Sequence, residues 1–209
     1  MADMRVYLRL ENLQRQFAAY LATPVRGRGY VPMEGMHSLI VEIAPALAIH
    51  RVTDLALKNV PNAEPGILYV ERQFGILEVH SFEAGDLEKA GAAILKGIGA
   101  KASDQLKPKI LYTDIIEEVT DRHAVILNRN RDASMILPGE SLVLVEMMPA
   151  LFAAHAVNEA EKVAPNVTIV DIQMIGATGR VFLSGSTQDV KTACDHMVKV
   201  LEEVEGRDQ

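Results

Sequence analysis

The chain has 209 residues, of which 49% are hydrophobic and 23% charged, and a formal charge of −7. That is apolar material for one sizeable domain or two small ones, and the acidic balance excludes a nucleic-acid binder, which needs clustered Lys and Arg against phosphate. Cys194 is the only cysteine, so no intrachain disulfide can form and a reducing cytoplasm is the expected compartment.

In chain order, Met1-Ala2-Asp3-Met4-Arg5 leads straight into a strand-like run without the layout of a signal peptide. The segment from Arg5 to Ala22 reads as a strand followed by a helix. Residues 38–43 form an apolar strand without polar alternation, as expected for a central strand of a sheet covered on one face. Glu42 interrupts the longest apolar segment, so no membrane span is expected. A helix runs from near Pro45 to Asn59, with Pro in its first turn and an apolar side of Ala48, Val52, Leu55 and Ala56. The stretch ILYVERQFGILEV then gives strand 67–71, a turn at 72–75 and strand 76–82. Burying its central pair, Glu71 and Arg72, would cost on the order of several kcal/mol per ion, so the chain must meet water there. A further helix starts at Asp86, an expected N-cap, and ends at Ile98. The joint from Ala100 to Lys109 is polar and contains Pro108.

An internal repeat organises all of this. LIVEIAPAL at 39–47 matches VLVEMMPAL at 143–151, so that Glu42 and Glu146 differ by 146 − 42 = 104 positions. The same offset relates Asp54-x-Ala56-x-Lys58 to Asn158-x-Ala160-x-Lys162, and Gly75 to Gly179. After a one-residue gap, Leu87, Ala90, Ile94, Leu95 and Ile98 match Val190, Ala193, Met197, Val198 and Leu201. One unit of strands and helices has been used twice, each an antiparallel sheet with helices on one face, an α+β arrangement. The leading strand and helix recur as Lys109 to Leu127.

A repeated strand–helix carrying D/N-x-A-x-K, then a hairpin with a short Gly turn, then a helix, resembles the bacterial microcompartment (BMC) shell domain. The strand and helix placed ahead of that core in both halves resemble its circularly permuted form. The resemblance covers about Arg5 to Leu201. It implies two tandem ferredoxin-like BMC domains, the first in residues 1–104 and the second in 105–209, in a structural, non-enzymatic facet protein. Such proteins form homotrimers that imitate a hexagonal tile, with or without a second trimer stacked on the first. Their expected partners are hexameric and pentameric shell proteins and metabolites crossing the pore. No cofactor, nucleic acid or membrane is implied, and the implied location is a microcompartment shell in the cytoplasm.

The resemblance also distributes roles. Lys58 and Lys162 correspond to the lysine at the tile edge; alone, each would read as a solvated lysine favouring a helix C-terminus. Glu71, Arg72, Gln73, Phe74 and Gly75 are similar to the gate of tandem shell trimers of carboxysomes and their relatives. Gly176, Ala177, Thr178 and Gly179 take the equivalent pore-loop place, where small residues let backbones approach closely. Read without the repeat, both loops would be ordinary exposed hairpin tips. Asn128-Arg129-Asn130-Arg131 has no interleaved aromatics and reads as a solvated loop. The six histidines show no metal-ligand spacing, no nucleophile–base pair stands out, and Glu42 and Glu146 read as strand-end or helix-interface carboxylates. The competing functional class is a trimeric ferredoxin-like small-molecule-binding or sensor protein, which would stay discrete where tiles form sheets.

Overall fold

The computed structural model describes residues 2–23 and 29–208. It divides into two compact units, one running to Lys107 and rejoined by the chain from Glu205 onward, the other spanning Pro108–Val204.

The first unit contains β1 (Asp3–Leu10), α1 (Arg15–Ala22), β2 (His37–Ala44), a 3-10 turn (Ala46–Ala48), α2 (Ile49–Asn59), β3 (Glu64–Val70), β4 (Gly75–Ser81) and α3 (Ala84–Ile98). Its strands form an antiparallel sheet in the order β1-β2-β4-β3. The strand expected to be central, β2, is so. Its odd positions Leu39, Val41 and Ile43 pack with Val52 and Ala56 of α2 and with Leu87, Ala90 and Ile94 of α3. Burial of such side chains is worth roughly 1.5–3 kcal/mol each, which is why the apolar periodicity of α2 and α3 is legible in the sequence. The other face of β2 is buried as well: Ser38, Ile40 and Glu42 are each under cover. An absence of polar alternation thus reports two covered faces.

The second unit repeats the order with β5 (Lys109–Ile116), α4 (Asp121–Asn130), β6 (Ser141–Met148), α5 (Phe152–Val163), β7 (Thr168–Gln173), β8 (Gly179–Gly185) and α6 (Thr187–Glu202). Its sheet order is β5-β6-β8-β7. The repeat is kept at the level of register: Leu39 lies opposite Val79 in the first unit, and Val143 opposite Leu183 in the second. In each unit the two longer helices pack side by side on one face of the sheet. The shorter α4 meets the opposite face, where Ala124 joins Val119, Ile136, Leu142 and Val170.

Two local expectations are corrected. Asp86 is not the N-cap of α3: the cap position is Glu83, which makes no side-chain cap bond. Asp86 lies in the first turn, where its carboxylate accepts from Ser81 Oγ (3.5 Å) and pairs with Lys89 (3.4 Å). Asn128, Arg129 and Asn130 are not loop but the last turn of α4. The Asn128 amide donates to the Ile136 carbonyl (2.8 Å) and accepts from the Ile136 amide (2.9 Å), so a side chain stands in for a backbone partner and stabilises the helix end.

The tail is tied into the first unit by backbone. Lys107 N donates to Arg207 O and Arg207 N to Gln105 O, both at 2.8 Å, and the Arg207 guanidinium reaches Asp3 Oδ1 at 2.6 Å.

Candidate functional site

The two hairpin loops singled out in the sequence occupy equivalent places between β3 and β4 and between β7 and β8. In the first, Glu71 N donates to Phe74 O (2.8 Å), closing a tight turn that leaves Arg72 and Gln73 exposed. Among the described residues, neither Glu71 nor Arg72 forms an ion pair. The charged pair is therefore carried on a turn that is followed by the fully buried strand β4.

The foot of this loop is held from below. Glu42 on β2 is 2% exposed, and Arg5 Nε donates to its Oε1 at 2.8 Å. The same guanidinium lies over the ring of Phe74, 3.7 Å from its centroid, a cation–π arrangement. Burial raises the Glu42 carboxyl above the usual range, and the Arg5 hydrogen bond and charge act against that rise.

The second loop is built from smaller parts. Gly176 has φ +133°, a conformation that side-chain-bearing residues rarely adopt, and no atom stands near its absent Cβ. Thr178 Oγ1 donates to Glu146 Oε1 at 2.7 Å, and Arg180 Nε donates to the same oxygen at 3.0 Å. Arg180 also donates to Gln173 Oε1 (3.0 Å), and Gln173 Nε2 in turn to Asp171 Oδ2 (3.1 Å). The Thr178 hydrogen bond, followed by that of Arg180, lowers the Glu146 carboxyl below its ordinary value. The repeated glutamates are thus shifted in opposite directions, Glu42 upward by burial and Glu146 downward by its hydrogen bonds.

Gly75 and Gly179 mark where each second hairpin strand leaves the loop. A Cβ on Gly75 would fall on the Ala46 carbonyl oxygen and the Ile49 side chain, and one on Gly179 on the Ala150 carbonyl oxygen, the repeat-equivalent atom. Both glycines are required by close backbone approach. Gly75→Ala and Gly179→Ala are each expected to destabilise the protein by about 1–3 kcal/mol, the usual range for overpacking. Denaturant unfolding checks this, and unchanged midpoints would remove the constraint.

Lys58 and Lys162 stand in the last turns of α2 and α5. Lys58 pairs with Asp54 at 2.9 Å and Lys162 with Glu159 at 2.6 Å. Cys194 is buried, and burial raises its thiol pKa, as for an inert thiol. Among the described residues no helix is long and apolar enough to cross a membrane. What the sequence did not supply is the pair of arginines: a carboxylate embedded in LIVEIAPAL signals the need for a partner, without saying that Arg5 meets it in one unit and Arg180 in the other.

Comparison with known proteins covers both units. Residues 4–104 match the family model described as the CsoS1D N-terminal domain. The chain is 39% identical over 206 residues to the carboxysome shell protein CcmP of Synechococcus elongatus, covering 99% of this chain and 95% of that one. It is 38% identical over 203 residues to the carboxysome shell protein CsoS1D of Prochlorococcus marinus, covering 97% and 78%. Among solved structures it superposes with TM-score 0.96 and 61% identity, over 100% of both chains, on MSM0271, a double-ringed trimeric shell protein from the RMM microcompartment.

Proposed function

The chain belongs to the tandem-domain, permuted BMC family of carboxysome and microcompartment shell proteins, and from that premise we propose that it works as a facet tile with a gated central pore. Each unit serves as one BMC domain, the first up to about Asp104 and the second beyond it, less the tail. Three chains close into a ring that imitates a hexagon, the usual closed symmetry of homo-oligomers.

The observation that carries this reading is the duplication with unlike loops. In such a ring each loop recurs at every three-fold position, so long charged tips alternate with short glycine-rich ones around the axis. Gly176, Ala177 and Thr178 take little room there. Glu71 and Arg72 of neighbouring chains pair across the axis to close the opening, or swing outward to widen it for metabolites too large or too polar for a narrow pore. Gln73, Phe74 and Gly75 complete the gate, and Gly179 the pore loop. Lys58 and Lys162 lie along the edges that meet hexameric and pentameric neighbours in the shell. The role is structural and not catalytic.

The mass in solution tests the assembly. Light scattering is expected to give three times 22.9 kDa, or six times where two trimers stack. A stable monomer would overturn the tile.

A further inference from the structure

The clamp beneath each loop has been built by different means in the two units. Arg5 is the extra residue of a β-bulge: Met4 pairs with Ile43 and Val6 with Glu42, so Arg5 has no strand partner and its side chain is re-aimed. The corresponding bulge in β5 lies between Ile110 and Tyr112, where the extra residue is Leu111. There the arginine comes instead from β8, directly across the ladder, with Glu146 opposite Arg180. At the position matching Arg180, the first unit has Ile76 opposite Glu42.

The two arrangements share no arginine position, yet both end on the same repeated glutamate and on the same repeat position of the loop, since Phe74 and Thr178 differ by 178 − 74 = 104. What recurs is a link between the strand glutamate and the loop's last residue. We propose that Arg5 and Glu42 are positioning residues that fix Phe74 as the immobile foot of the 71–74 loop, so that the pore opens by movement of Glu71, Arg72 and Gln73 about that foot while the hairpin stays in place. This rests on the reading that the loop lines the three-fold pore. Glu42 is buried, and a buried carboxylate stripped of its partner is costly, so Arg5 stays where it is. Phe74 lies on the face of a guanidinium that cannot leave. Arg72 and Gln73, by contrast, are exposed. The link in the second unit, through Thr178, is polar and more open to water, and it anchors a loop with no long side chain to swing.

Amide hydrogen exchange in the assembled protein tests the clamp, with the Glu71 amide as reporter because it donates to Phe74 O. Arg5→Ala and Phe74→Leu are each expected to speed exchange at Glu71 by about tenfold, the loss of one half-buried cation–π contact. Arg5→Lys keeps a cation but loses the flat guanidinium, and is expected to lie between Arg5→Ala and the parent. Arg180→Ala is expected to leave exchange at Glu71 unchanged, because Arg180 contacts only the second unit's glutamate and Gln173. Phe74→Leu retains the Arg5–Glu42 pair, so the test survives if Arg5→Ala does not fold. Exchange at Glu71 within about twofold of the parent in Phe74→Leu overturns the clamp, whatever the loop's position. Accelerated exchange in a trimer whose loop lies off the axis overturns the pore reading and with it the clamp's role in opening.

Discussion

Replacing Glu71 and Arg72 together by Ala is expected to yield an intact trimer with a permanently wide axial opening. The two side chains project from a turn closed by the Glu71 amide and the Phe74 carbonyl, which the substitution leaves in place. They contribute little to the fold of the single chain, and exposed positions away from caps and cores usually change stability by within about ±0.5 kcal/mol. In the proposed gate they recur at the axis of a trimer as opposite-charge pairs near water, each worth ~0–1 kcal/mol. Closed and open states then lie close enough in energy to exchange, and a metabolite shifts the balance only by as much as it prefers one state. Removing both charges takes away the closed state altogether. The axial diameter in structures of the variant and the parent is the measurement, and a parent trimer with Glu71 and Arg72 far from the axis would refute the gate.

The second large effect is on assembly. Lys58→Glu combined with Lys162→Glu is expected to abolish extended sheets while trimers persist. Each lysine now neutralises an acidic neighbour one helical turn away, Asp54 or Glu159. Reversal removes each favourable pair and puts a like-charge pair in its place, a change of about 0.4–1 kcal/mol per helix, too small to unfold a unit. With the lysines at the proposed tile edge, the change repeats along every shared edge, so weak repulsions add up against a lattice held by many identical contacts. Electron microscopy reads the sheets and light scattering the trimers. Normal tiling by the double variant would make these lysines ordinary solvated residues and move the edge elsewhere.

The architecture was legible because repetition and burial leave marks in one dimension. The offset seen in LIVEIAPAL and VLVEMMPAL survives as a shared strand register, Leu39 opposite Val79 and Val143 opposite Leu183. Apolar runs announced β2 and β6, and helical periodicity announced α2 and α3, since the same side chains make the core. Contacts that depend on a bulge or on a distant strand left no such mark. Arg5 reaches Glu42 only because β1 gains a residue at that point, and nothing local in MRVYLRL says so. Asn128 looked like loop composition, and its helix holds because an amide side chain meets Ile136 across the following loop. At α3, Asp86 has N-cap chemistry and Glu83 does not, yet the backbone starts the helix directly after Glu83.

The returning tail has a consequence for how the polypeptide is laid out. Asp3 and Arg207 touch through their side chains at 2.6 Å, so two stretches of chain 204 positions apart lie side by side in the first unit. Anything fused ahead of Asp3 or behind Arg207 emerges from the same small patch, and reporters placed at the two sites are neighbours. A short linker between them would close the chain into a loop, and a cut opened in any exposed turn would then give a chain of different element order and the same contacts. Reordering of strands and helices along the sequence is, for such a molecule, a change of starting point on a ring.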